Sequence, residues 1–91
     1  MARTGFGSRF PARNSAVAKA LAANVRRLRK ERGWNQDELA AESGIEQAAV
    51  SLIENARANP TLLMLEGIAS ALDVPFVDLF ESRPRIRRSR P

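Results

Sequence analysis

From Val17 to Phe80 the apolar residues recur at helical spacing, interrupted at Gly33, Gly44, Asn59-Pro60 and Asp73-Val74-Pro75. Val17, Leu21, Val25 and Leu28 follow one another at intervals of four, four and three, which predicts one buried face of a first helix opening near Asn14 or Ser15 and ending at Gly33. A second helix is predicted over 36–43. Asn35 is a favoured N-cap, Glu38 completes a capping box, and Trp34 with Leu39 forms a hydrophobic staple. Leu39 and Ala40 supply its buried stripe, and Gly44 stands where a left-handed residue ends a helix. A third helix, about 46–55, turns Ile45, Val50 and Ile53 inward and leaves Gln47, Ala48, Ser51 and Leu52 facing elsewhere. After a loop at Asn59-Pro60-Thr61, with Thr61 or Asn59 as cap, Leu62, Leu65, Ile68, Ala69 and Leu72 form the stripe of a fourth helix. Pro75 then suits the first turn of a short fifth helix carrying Phe76, Leu79 and Phe80. No strand pattern competes, so the expected fold class is all-α with five helices.

Helices two and three, joined by a glycine turn, have the length and spacing of a unit that lays its second helix in the major groove of DNA. The residues around them resemble the phage lambda repressor/Cro type of helix-turn-helix domain, the XRE family. The likeness runs through Val25-x-x-Leu28-Arg29, Gly33-Trp34-Asn35-Gln36-x-x-Leu39-Ala40, Ser43-Gly44-Ile45 and Val50-Ser51-x-Ile53-Glu54-Asn55. It continues through Asn59-Pro60-Thr61-Leu62-x-x-Leu65, Ile68-Ala69-x-Ala71-Leu72-x-Val74 and Leu79-Phe80 without a gap. The resemblance implies a lambda repressor-like DNA-binding domain over 15–81, between an arm (1–14) and a tail (82–91) whose compositions predict disorder.

Composition narrows the function classes. With 91 residues the chain makes one small domain. It has no cysteine, histidine or tyrosine, which removes disulfides, thiolate and imidazole metal sites, and the commonest general base. No catalytic set is left, so an enzyme is not expected, nor a cofactor, a metal or a small-molecule ligand. Neither a membrane span nor a signal peptide is evident, and a cytoplasmic protein is expected. The net charge of +5 belongs to the ends. Arg3, Arg9 and Arg13 precede residue 16, and Arg83, Arg85, Arg87, Arg88 and Arg90 follow residue 82, with no acid in either stretch. Residues 16–82 carry seven bases against ten acids, a net −3, so any basic patch on the domain must be local. Arg26, Arg27, Lys30 and Arg32 on the first helix, and Arg57 after the third, are the candidates.

On the resemblance, Gln36 at the start of helix two contacts the DNA backbone, where free N–H groups and the helix dipole favour phosphate. Asn35, Arg57 and Asn59 are further backbone candidates; the alternative is that Gln36 is an ordinary solvated residue of the capping box and the loop residues ordinary surface positions. For bases, Gln47 can pair with adenine N6 and N7, and Ala48 can pack on a thymine methyl. Ser51 can bond either a base or a phosphate, and Glu46 can accept from cytosine N4. Glu46 also stands where the family usually has a Ser or Thr cap, and should cap less well. The resemblance further implies a buried salt bridge between Arg29 and Glu54, with a structural role.

Leu52, Leu63, Met64 and Val77 fall off the inward stripes. Family members of this size often pair through helices four and five, so the expected partners are double-stranded DNA and a second copy of the chain. The expected function is a sequence-specific transcriptional regulator, dimeric on a near-palindromic operator, like phage repressors and restriction–modification controllers. Two alternatives stay open: an antitoxin that regulates its own operon, and a non-specific nucleic-acid binder working through its arginine-rich ends. Those ends could equally be minor-groove arms or inert solubilising segments.

Overall fold

The computed structural model describes residues 15–82. The expected basic arm at 1–14, and the arginine-rich tail apart from Ser82, lie outside the described residues. Four α-helices follow one another: α1 (Ala16–Glu31), α2 (Gln36–Ser43), α3 (Gln47–Glu54) and α4 (Leu62–Leu72). The fifth element is a 3-10 helix, Phe76–Phe80, and not the α-helix the pattern predicts. Pro75 fixes its entry, and the Asp78 N–H closes a tight turn on the Pro75 carbonyl at 2.9 Å. Five residues between Pro75 and the extended Glu81 leave little room for an i→i+4 ladder.

Side chains start three of the four α-helices. Ser15 Oγ accepts from the Ala18 N–H at 3.2 Å, and Thr61 Oγ1 from the Met64 N–H at 3.1 Å. At α2, Asn35 Oδ1 accepts from the Glu38 N–H and Glu38 Oε1 from the Asn35 N–H, both at 2.8 Å, which is the predicted capping box. Glu46 is the N-cap of α3, in extended conformation with no side-chain cap bond, the weak cap expected at that position.

All four α-helices end in the same pair of reversed hydrogen bonds around one left-handed residue. That residue is Gly33, Gly44, Ala56 or Asp73. After α2, the Gly44 N–H bonds the Ala41 carbonyl and the Ile45 N–H bonds the Ala40 carbonyl.

The core is Leu21 and Val25 of α1, Leu39 and Ala40 of α2, Val50 and Ile53 of α3, Leu65, Ile68, Ala69 and Leu72 of α4, and Leu79. Trp34 packs on it from beside the α2 cap. Two residues assigned to inward stripes lie outside the core: Val17 is 59% exposed and Leu62 is 69% exposed. Both lie in the first turn of their helices. Gly67 lets α4 approach α2 closely, since a Cβ there would stand 2.6 Å from the Ser43 carbonyl oxygen. Asn24, buried in α1, donates through Nδ2 to the carbonyls of Leu79 (3.0 Å) and Glu81 (2.8 Å), fastening the end of the 3-10 helix to α1. Among the described residues, no helix is long and apolar enough to cross a membrane.

Candidate nucleic-acid interface

α3 turns Val50, Ile53 and the Glu54 side chain inward, which leaves Gln47 and Ala48 exposed and Ser51 and Leu52 half-buried. Its buried end is held by α1. Arg29 donates through Nε to Glu54 Oε2 at 2.7 Å and through Nη2 to Glu54 Oε1 at 3.0 Å, a bidentate pair with side chains 12% and 0% exposed. Arg29 Nη1 also donates to the Trp34 carbonyl at 2.8 Å, tying the pair to the turn before α2. The hydrogen bonds to Glu54 raise the Arg29 pKa above the usual arginine value against the opposing effect of burial, and the Glu54 charge adds to the rise.

The pair reaches the surface through two amides. Gln36, at the first position of α2, donates through Nε2 to Glu54 Oε1 at 3.1 Å. Gln47, at the first position of α3, donates through Nε2 to Gln36 Oε1 at 2.8 Å. Arg29, Asn35, Gln36, Asp37 and Gln47 line one open cleft between the two helix starts. The structure therefore brings Gln36, Gln47, Asn35, Arg29 and Glu54 into one neighbourhood. Nothing in the sequence pattern signalled the Gln36–Gln47 and Gln36–Glu54 bonds, because no periodicity relates residues across the turn.

The remaining candidates differ in placement. Asn35 uses its Oδ1 and its backbone N–H in the capping box, so only its Nδ2 remains to meet a phosphate. Asp37 and Glu38 sit in the first turn of α2, where they complement the helix dipole but oppose an anion. Glu46 is exposed beside Gln47. Arg57 is exposed on the loop after α3. Asn59 stands apart from the cleft, on a groove with Ser15, Val17, Pro60 and Phe80.

The expected basic patch on α1 is largely committed within the molecule. Arg26 Nη2 donates to the Glu54 carbonyl at 2.9 Å, a cation at the C-terminus of α3. Arg27 pairs with Glu31 at 3.2 Å and donates to Asn24 Oδ1 at 3.3 Å, and Arg32 lies over the Trp34 ring at 5.1 Å. Proximity in sequence grouped these cations, whereas partners elsewhere in the fold separate them. Sequence reasoning missed Asn24, although an amide on the face of Leu21 and Val25 was a legible signal. Away from the cleft, Leu62, Leu63 (78% exposed) and Val77 (61% exposed) are exposed apolar residues on α4 and the 3-10 helix, and Leu62, Glu66, Ala69 and Phe76 line a shallow groove.

Comparison with known proteins is consistent with this arrangement. The sequence model of the HTH_3 family, described as helix-turn-helix, matches residues 25–79. The chain is 43% identical over 63 residues to the HTH-type transcriptional regulator y4dJ of Sinorhizobium fredii, covering 69% of this chain and 82% of that one. The hypothetical transcription factor NHTF from Neisseria superposes with a TM-score of 0.70 at 35% identity, over 79% of this chain and 86% of that one. The restriction-modification controller protein C.AhdI from Aeromonas hydrophila gives 0.69 at 30% identity, over 72% of this chain and all (100%) of that one.

Proposed function

The chain belongs to the HTH_3 helix-turn-helix family of XRE-type DNA-binding transcriptional regulators, and on that premise we propose that it reads a specific operator through α3. The observation that carries the reading is the exposed Gln47 amide at the start of α3, held by Gln36 across the cleft. α3 lies in the major groove, where Gln47 bonds adenine and Ala48, Ser51 and Glu46 are placed for neighbouring bases. Gln36 and Asn35 meet the phosphate backbone from α2, and Arg57 and Asn59 from the loops. The family regulates transcription by binding DNA and is not a family of enzymes. The site of action is the cytoplasm.

The exposed Leu62, Leu63 and Val77, and the groove between Leu62 and Phe76, support a homodimer through α4 and the 3-10 helix. Two-fold symmetry then calls for a near-palindromic operator with half-sites about 10 base pairs apart, or a multiple of that. The likeness to C.AhdI supports a role of the restriction-modification controller type.

Selection of bound sites from random duplex DNA tests the reading. The expected result is an enriched palindrome in which Gln47→Ala erases the preference at one base pair of each half-site. An affinity that collapses with rising salt, with no enriched motif, would overturn it in favour of non-specific binding through the arginine-rich ends.

A further inference from the structure

A glutamine amide can present its donor or its acceptor to a neighbour, and a free Gln47 would offer either edge to a base. In this fold that choice is made from the interior. Every group facing Glu54 Oε1 is a donor: Arg29 Nη2 at 3.0 Å, Gln36 Nε2 at 3.1 Å and Arg26 Nε at 3.8 Å. A carboxylate oxygen only accepts, so Gln36 must turn its NH2 inward, which sends its Oε1 outward. Gln36 Oε1 in turn only accepts, so Gln47 must give it one N–H, at 2.8 Å. What Gln47 has left for DNA is one N–H and its carbonyl oxygen. That donor and acceptor match N7 and the N6 amino group of adenine, whereas guanine offers two acceptors.

We infer that Glu54, whose side chain has no exposed surface, determines base specificity by fixing through Gln36 which hydrogen-bonding edge Gln47 presents to DNA. Glu54 is a positioning residue here and touches no base. The inference rests on α3 being the reading helix. It assigns the buried Arg29–Glu54 pair a second consequence besides holding α1 to α3. The pair orients the carboxylate, the carboxylate sets the polarity of the first amide, and the first amide sets that of the second.

The same site selection tests this with three variants of the full chain. Gln47→Ala marks the base pair that residue 47 reads. Gln36→Ala removes the relay and leaves the Arg29–Glu54 pair untouched. Glu54→Gln puts an NH2 in competition with Gln36 and Arg29, and so permits both amides to reverse. Reversed, Gln47 has both of its N–H groups free for the base and so suits guanine as well.

The expected result is that both relay variants lose preference at the base pair marked by Gln47→Ala. From the roughly 5- to 150-fold discrimination of a bidentate amide, adenine preference should fall several-fold in Gln36→Ala and become mixed adenine and guanine in Glu54→Gln. Other positions of the motif should keep their preferences. A loss of affinity that is uniform across sequences, with the marked base pair still read as adenine, would overturn the inference while leaving α3 as reader. A Gln47→Ala motif identical to that of the wild type at every position would overturn it as well. A wild-type chain with no motif at all brings down the regulator reading itself, which is a different signature. Circular dichroism melts establish that each variant is folded. Should Glu54→Gln fail to fold, the paired Arg29→Met/Glu54→Leu variant takes its place: a relaxed base pair is expected, and one still read as adenine overturns the inference.

Discussion

Two seams hold the helix-turn-helix in place, and they work by different physics. α2 lies against α4 through Leu39, Ala40, Leu65, Ile68 and Ala69, with Gly67 bringing the two backbones together at Ser43. α3 lies against α1 partly through Val50, Ile53 and Val25, but its end is fixed by a buried bidentate ion pair. The apolar seam sets a distance and is indifferent to direction, because dispersion and burial carry no polarity. The polar seam sets a direction as well. Its donors and acceptors must alternate, and that alternation runs from Arg29 and Glu54 through Gln36 to Gln47 at the surface. A helix that only supports can be held by shape alone. A helix that presents an amide to a base gains from an anchor that distinguishes an oxygen from an NH2.

The largest expected effect comes from breaking the polar seam on one side. Arg29→Ala leaves Glu54 buried without its guanidinium and should cost about 3–5 kcal/mol in urea unfolding. Replacing both partners, as Arg29→Met with Glu54→Leu, should return most of that stability, since a well-packed apolar pair avoids the desolvation of two charges. The comparison sharpens there. If the double variant is stable yet has lost the base preference at the Gln47 position, the seam serves direction more than adhesion. Full stability together with unchanged specificity would deny the polar seam any special part.

The apolar seam should answer to size, not charge. Gly67→Ala places a methyl 2.6 Å from a backbone oxygen, so the α2–α4 spacing must open. Overpacking of this kind costs about 1–3 kcal/mol, measured as a lower melting temperature or urea midpoint. Affinity should fall with the folded fraction while the selected motif stays the same, because no hydrogen-bond polarity changes. A changed motif in Gly67→Ala would mean that spacing, too, informs the reader.

These seams were unequally legible in the sequence. Local signals carried far: the Asn35/Glu38 capping box and the Gly44 turn are each written within a few residues, and their geometry follows from backbone donors that need partners. Stripe positions such as Val25, Leu39, Val50 and Ile68 were likewise set by periodicity, which reports the inward face of a helix. Periodicity marks a face and not the depth of each position on it: Val17 and Leu62, in the first turns of α1 and α4, keep the stripe spacing and lie outside the core. The end element fared similarly, since an apolar run behind Pro75 does not distinguish a 3-10 from an α turn. The arginines of α1 looked like one patch because charge was counted along the chain. Arg26 instead bonds the carbonyl of a residue 28 positions away, a distance at which no local pattern speaks. The contact of Arg29 with Glu54 was available only through resemblance to a family. The amides that continue it were visible as residues and invisible as a relay.

The smallest expected effect compares the ends of α2 and α3 directly. Both close with the same two reversed hydrogen bonds, but the left-handed residue is Gly44 after α2 (φ +74°) and Ala56 after α3 (φ +57°). An L-residue with a Cβ is disfavoured by about 1–2 kcal/mol in that region, and glycine's larger unfolded-state entropy costs about 0.5–1 kcal/mol. Ala56→Gly should therefore stabilise the chain by about 0.5–1 kcal/mol, and Gly44→Ala should destabilise it by a similar amount. A Cβ at Gly44 would meet nothing within 4 Å, so its effect isolates backbone conformation. The pair combined should nearly cancel, provided the two turns act independently. If Ala56→Gly stabilises less than Gly44→Ala destabilises, part of the Ala56 strain is already relieved by the polar seam, since Arg26 bonds the Glu54 carbonyl just before that turn. Repeating Ala56→Gly in an Arg26→Ala background separates the two: a larger gain there would locate the relief in that one hydrogen bond.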